Sequence, residues 1–208
     1  VRETGALPEY LEPGVWTTLV VRRIAVNLLD HFRGMMKAEA EANRRALESL
    51  DSVPLDGRDS PSFQRALEVM AHIQLARHVW LERLHNRAIK PLDWFPPQTV
   101  SATRDDSRRL DALWTRYLDS LTDANLADEC SYTSSEGVRY TSLVHEILAH
   151  VLNHSTYHRG QVARFVTESG GNRAQTDLIA FTRRSASASV SAGGGGGDGT
   201  NPGARSPA

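Results

Sequence analysis

One cysteine, Cys130, and two lysines, Lys37 and Lys90, are all that the 208 residues hold of those two types. A lone cysteine cannot close an internal disulfide, so the fold does not depend on an oxidising compartment. Neither sign of charge is in excess: 24 basic residues face 25 acidic ones, for a net charge of −1. That balance gives no electrostatic case for a nucleic-acid partner or an anionic membrane. No apolar run approaches the roughly 20 residues that a membrane span needs. The first residues do not read as a secretory signal, because Glu3, Pro8, Glu9, Glu12 and Pro13 precede the first apolar stretch and Arg22 and Arg23 interrupt it. The expected location is cytoplasmic. There is no phosphate-binding glycine loop. The one glycine run, Gly193 to Gly197, lies in a terminal segment of Ser, Ala and Gly. With 40% hydrophobic and 24% charged residues, the chain as a whole has ordinary globular composition and the length for one domain with a sizeable core.

Three regions follow. Residues 1–27 form an N-terminal extension without an assignable role. Residues 28–184 form the folded domain. Residues 185–208 are too poor in apolar side chains to offset their ordering entropy and are expected to be disordered. Helical periodicity runs from about Thr17 to Leu50, with a candidate break at Gly34. Asp59-Ser60-Pro61 is a cap followed by proline at the first helical position, opening a helix to about Asn86. Pro91, Pro96 and Pro97 make the next segment a loop, with Trp94 and Phe95 expected to tuck against the bundle. A third helix is expected over Ser101–Leu121. The alternation around Ser135-Glu136-Gly137 suggests a short hairpin between Cys130 and Tyr140. A fourth helix starts near Thr141 and stops at Gly170-Gly171, and a short helix over Thr176–Arg184 closes the domain. Four long helices with short links read as an all-α four-helix bundle.

The chemistry lies in the histidines. With Leu143 at zero on a wheel of about 100° per residue, Ile147, Val151, Val162 and Phe165 of the fourth helix fall in an arc of roughly 40–100°. His154 falls at about 20° and His158 at about 60°, pointing into the bundle with these core residues. His150 lies at the margin and His145 on the far face. A buried histidine without a partner is costly, whereas two on one face, four residues apart, can share a metal ion. The competing reading is a pair of core histidines bonded to carbonyls. A metal site needs a ligand from another helix. On the second helix, Ala66, Val69, Ile73, Ala76, Trp80 and Leu84 define an apolar face. His78 falls opposite it, between Gln74 and Glu82, and is expected to be solvated. His72, on the shoulder of that face, is the better third ligand. His31 and His85 have no partner at ligand spacing. His145-Glu146 with His150 has one residue too many for the zinc-protease helix pattern, and Glu82-x-x-His85 lacks the second copy that a di-iron bundle requires.

The stretch Glu146-Ile-Leu-Ala-His-Val-Leu-Asn-His-Ser-Thr-Tyr-His-Arg-Gly-Gln161 resembles the signature of the DinB/YfiT-like superfamily. The resemblance extends over roughly residues 30–181. It includes Ala42-Asn43-Arg44, His72 eight residues before Trp80-Leu-Glu-Arg-Leu84, and Thr176-Asp177-Leu178-Ile179. It implies a four-helix bundle, often dimeric, with a metal held by one histidine of the second helix and two of the fourth, here His72, His154 and His158. Glu41 and Ala38 stand where the family often has aromatic residues, so the first helix is expected to pack differently. The resemblance also implies a metal-dependent enzyme acting on a small molecule, either a transferase of low-molecular-weight thiols or a hydrolase.

Three imidazoles leave one or more coordination positions open, the arrangement of a catalytic site, where bound water reaches a pKa of about 7 or a thiolate is activated. Zinc comes first as the ion, with nickel, iron and copper also suited to imidazole ligands and manganese a further candidate. Glu146, two turns before His154, is too far to act as base. Arg159 either orients a substrate anion or sits in a surface ion pair. Asn153 and Gln161 are candidates to fix imidazole orientation. The alternative is a non-catalytic bundle, stapled by its metal, that serves dimerisation or stress-linked binding. A metal-free bundle with core histidines is a third.

Overall fold

The computed structural model describes residues 27–90 and 92–183. Four long helices make the frame: α1 (Leu28–Asp51), α2 (Pro61–Leu84), α3 (Val100–Asp119) and α4 (Val144–Glu168). A hairpin of β1 (Glu129–Thr133) and β2 (Arg139–Leu143) precedes α4, and a single-turn helix α5 (Ile179–Thr182) follows it. The fold is the expected all-α bundle with its hairpin and short closing helix.

Local chemistry accounts for the boundaries. The Asn27 side chain caps α1 by accepting from the Asp30 N–H at 2.7 Å, and α1 continues without a break through Gly34. The expected start at Thr17 lies outside the described residues. Ser60 caps α2 by accepting from Phe63 N–H, with Pro61 at the first helical position. The chain leaves α2 through Asn86 at φ 56°, in the left-handed region, with Arg87 N–H bonded back to the Glu82 carbonyl. It leaves α4 in the same way through Gly170 at φ 81°, with Gly171 N–H on the Val166 carbonyl, so the glycine signal read from the sequence is a six-residue C-terminal cap. The β1–β2 ladder pairs Glu129 with Leu143 and Thr133 with Arg139, which claims Thr141 and Ser142 for the strand. Helix α4 therefore starts at Val144, later than expected, where Glu146 Oε2 accepts from Leu143 N–H. Helix α5 is shorter than the expected Thr176–Arg184, and Arg184 lies outside the described residues.

The core falls into two apolar halves. One contains Leu29, Phe32 and Met36 of α1, Leu81 of α2, Leu110, Trp114 and Leu118 of α3, and Ile147, Leu148 and Val151 of α4. The other contains Leu47 and Leu50 of α1, Phe63, Val69 and Ile73 of α2, and Val162 and Val166 of α4, with Val100 of α3 packed against it. Read along the chain, α1 and α4 run from the first half to the second, whereas α2 and α3 both run the opposite way. Parallel neighbours need a connection as long as the bundle, as in bundles with a crossover. The segment His85–Thr99 is that connection, and it crosses the gap between the two halves. Helix α2 packs on α4 and α3, α1 packs on α3 and α4, and α1 and α2 face each other across a diagonal.

Between the halves lies a polar layer. Glu39 and Asn43 of α1, His72, Gln74 and Arg77 of α2, and Ser155 and Arg159 of α4 are all buried there. Arg77 donates to Gln74 at 2.8 Å and to Asp111 of α3 at 2.6 Å. The Gln74 side of α2, expected to face water, is thus buried, because α2 is flanked by two helices and has no wide solvent face.

Candidate metal centre

His72, His154 and His158 meet in this polar layer, between α2 and α4. Each offers one ring nitrogen, and the three atoms lie within 4.8 Å of one another. His72 is buried, and the other two are partly buried. Ring centroids stand 5.0 Å apart for His72 and His154, and 4.5 Å for His158 with each of them. The helical-face reading of α4 placed both of its histidines correctly, and the residue on the shoulder of α2 completes the group.

The neighbours settle which nitrogens point inward. The crossover lays the Trp94 carbonyl against His72, whose Nδ1–H donates to it at 2.7 Å. His158 Nδ1–H donates to Gln161 Oε1 at 3.1 Å, one turn along α4. Each bond commits Nδ1 as the protonated nitrogen and leaves Nε2 with its lone pair free. Phe95 stacks on the His72 ring at 4.4 Å and 14°, and the Arg65 guanidinium covers the other part of this wall, 4.4 Å above the Phe95 ring. Trp94 and Phe95 are tucked in as expected. That a main-chain carbonyl of this loop orients a histidine is not foreseeable from side-chain pattern.

His72 Nε2 and His154 Nε2 are 3.3 Å apart. Two nitrogens held at about 2.0–2.1 Å by one tetrahedral ion stand roughly 3.4 Å apart, so the spacing suits a shared cation. Without an ion, His154 Nε2–H donates to His72 Nε2. Burial pushes the His72 pKa below its ordinary value, against the pull of the Trp94 carbonyl. For His154, burial first and the neighbouring imidazoles second push it from 6.5 down to about 4. Both effects favour the neutral, ligating form.

That shift predicts an effect in metal-free protein. Unfolded, His154 binds a proton near the ordinary pKa of 6.5; folded, it binds one only near 4. Between those values the unfolded state binds more protons, so stability is fully present above the upper value and is lost as the pH falls towards the lower one. Urea midpoints of chelated wild type should therefore drop faster than those of His154→Gln between neutral pH and about pH 4.5. Parallel curves would show that the imidazole is not held neutral by the fold.

Arg159, adjacent to His158, takes neither role expected of it. It is buried and donates to Glu39 at 2.5 Å, to Asn43 at 3.0 Å and to Thr156 at 2.9 Å. The guanidinium ties α4 to α1 on the reverse side of the site. Among the described residues Asn153 bonds only to the Ala149 carbonyl of its own helix, so of the two candidate orienting residues Gln161 alone touches a ring. Glu146 caps α4 and does not approach the site. His145 Nδ1–H donates to the Leu126 carbonyl, His85 Nδ1–H to the Leu81 carbonyl, and His31 is exposed. His78 is partly buried, not solvated as its position opposite the apolar face suggested. Glu41 carries no aromatic packing. It bonds Arg44 and Arg45, which hold its carboxyl down at about 2.

A solved structure of a DinB-like protein from Bacillus cereus ATCC 10987 is similar to this chain, with a TM-score of 0.53 at 18% identity, covering 69% of this chain and 95% of that one. At that identity the likeness shows the fold. No curated protein matches the chain. The model of the DinB family matches residues 26–189, a span that holds all four long helices and the three histidines between them. The chain belongs to the DinB family.

Proposed function

We propose that the chain binds one divalent transition-metal ion on His72, His154 and His158 and uses it as an enzyme on a small-molecule substrate, as a transferase of low-molecular-weight thiols or as a hydrolase. The observation that carries this is the convergence of three imidazole nitrogens, two of them with Nδ1 committed to an acceptor outside the group. Second-sphere bonds of this kind fix tautomer and ring orientation in metal sites. The donor set fits zinc, nickel, iron or copper. When bound with a position open, such an ion supplies Lewis acidity towards a substrate oxygen or thiol. The protein's own part is positional. Trp94 and Gln161 hold two rings, Phe95 shields His72 from water on one face, and the Arg159–Glu39 pair fixes the α4 backbone beside His158.

A second reading has one observation in its favour. The three ligands come from two helices, so the same ion would clip α2 to α4 and could serve stability alone. Turnover separates the two. Metal-loaded wild type should conjugate a low-molecular-weight thiol to an electrophile such as monobromobimane, or cleave a chromogenic ester, and His72→Ala should do neither. Metal uptake with no turnover on either substrate class would leave the staple and remove the enzyme.

A further inference from the structure

Next to the histidines lies a cavity of about 620 Å³, walled by the end of α2, the crossover and the hairpin. Trp94 belongs to both sites, because its carbonyl holds His72 and the residue also lines the cavity. A row of packed rings links them from the other side: His154 to His150 at 5.6 Å, His150 to Trp80 at 5.0 Å, and Trp80 to Tyr132 at 4.9 Å in the cavity wall.

The lining is one-sided in charge. It contains Arg83, Arg87 and Lys90 and no carboxylate. Arg87 is paired with Glu82 at 2.9 Å. Arg83 and Lys90 have no acidic partner among the described residues. Arg83 is the telling one. Its guanidinium lies 4.6 Å from the Trp80 ring centre and 4.9 Å from that of Tyr132, clamped between the α2 helix and the hairpin. One N–H is used, by the Thr133 carbonyl at 3.0 Å, and Nε is buried with no partner. Burial pushes its pKa below the ordinary value for arginine, with no carboxylate offsetting the cost. A guanidinium held rigid by two rings, with donors unused and no counter-charge, is the pattern of an anion receptor. Trp94, Tyr132 and Leu92 give the same cavity apolar and aromatic wall.

We propose that this cavity binds a small molecule bearing an oxyanion beside an aromatic or alkyl group, the oxyanion being held by Arg83 with Lys90 in support. The binding rests on the cavity alone; that the molecule is the substrate of the adjoining histidine centre rests on the metal reading above. Two sources supply the chemistry, a carboxylate and a phosphate ester, and the test distinguishes them.

The full chain, stripped of metal with chelator, is titrated with benzoate, phenyl phosphate, inorganic phosphate and benzyl alcohol while tryptophan fluorescence is followed. Trp94 lines the cavity, and Trp80 packs on the lining residues Arg83 and Tyr132. Saturable quenching by benzoate or phenyl phosphate is expected, with inorganic phosphate and benzyl alcohol at least tenfold weaker, since each keeps only half of the recognised chemistry. The better of the two aromatic anions names the oxyanion. Arg83→Gln should weaken binding by about tenfold or more. Because that substitution could disturb the hairpin, Lys90→Gln, at an exposed loop position, provides the second variant and should weaken binding several-fold with the thermal midpoint unchanged. Equal binding of benzyl alcohol, or unchanged affinity in both variants, would overturn the proposal. So would quenching seen only after zinc is restored and insensitive to Arg83→Gln, which would put the anion on the metal and leave the metal reading standing. Anion binding in chelated protein that takes up no zinc would support the cavity and sink the metal centre instead.

Discussion

Purified without a histidine tag and without chelator, wild type should carry about one equivalent of a divalent transition metal, and His154→Ala almost none. The effect is expected to be all-or-none because the site is small. His154 Nε2 stands 3.3 Å from His72 Nε2, and removing it leaves two imidazoles on different helices. Elemental analysis of the two proteins, prepared in parallel, makes the measurement. Stability should follow. A ligand present at a thousand times its Kd adds about 4 kcal/mol to a fold that binds it only when native. In a domain of this size that corresponds to a rise in Tm of roughly 8–16 °C. Chelation of wild type should therefore lower Tm by that order and chelation of His154→Ala should not change it. Metal absent from both proteins, with no uptake of added zinc, nickel or iron, would leave a bundle with a hydrogen-bonded histidine cluster.

Arg159→Ala should cost about 3–5 kcal/mol of stability. The Arg159 and Glu39 side chains are 4% and 2% exposed, and Asn43 is fully buried beside them. Truncating the arginine strands the Glu39 carboxylate in the centre of the bundle, without water or a counter-ion. The penalty is that of an unpaired buried charge, not the net worth of the pair. Removing both charges, as in Arg159→Met with Glu39→Leu, should therefore recover most of the loss, although Asn43 then lacks two partners. Urea unfolding of the three proteins tests this. A loss below about 1 kcal/mol in Arg159→Ala would mean that water reaches Glu39 and that the layer is not sealed.

The helices and their inward faces were legible because they depend on local pattern. Ser60-Pro61, Gly170 and the repeat of Ile147, Val151 and Val162 each act within a few residues, and the structure uses them as read. Arg159 was misjudged for a physical reason. Its environment is made by Glu39 and Asn43, over a hundred residues earlier, and a charged side chain one step from the apolar arc looks the same on a wheel whether it meets water or a buried carboxylate. Gln74 misled in the same way, since it is buried against Arg77, whose partner Asp111 belongs to α3. Gln161 was within reach of sequence reasoning because it lies three residues from His158 on one helix. Trp94 was not, because the atom that matters is a backbone carbonyl, which no side-chain pattern encodes. The parallel run of α2 and α3 was equally hidden, although the long proline-rich crossover is what such a topology demands.

Trp94 also joins two equilibria. Its main chain sets the ring of His72, and the same residue forms part of the wall where the anion is expected, so any shift of the crossover is felt at both places. Binding free energies linked in this way are reciprocal. If an occupant of the cavity tightens metal binding by some factor, metal must tighten the hold on that occupant by the same factor, whichever arrives first. With Trp94 as the shared boundary, each ligand would then be held more tightly when the other is in place.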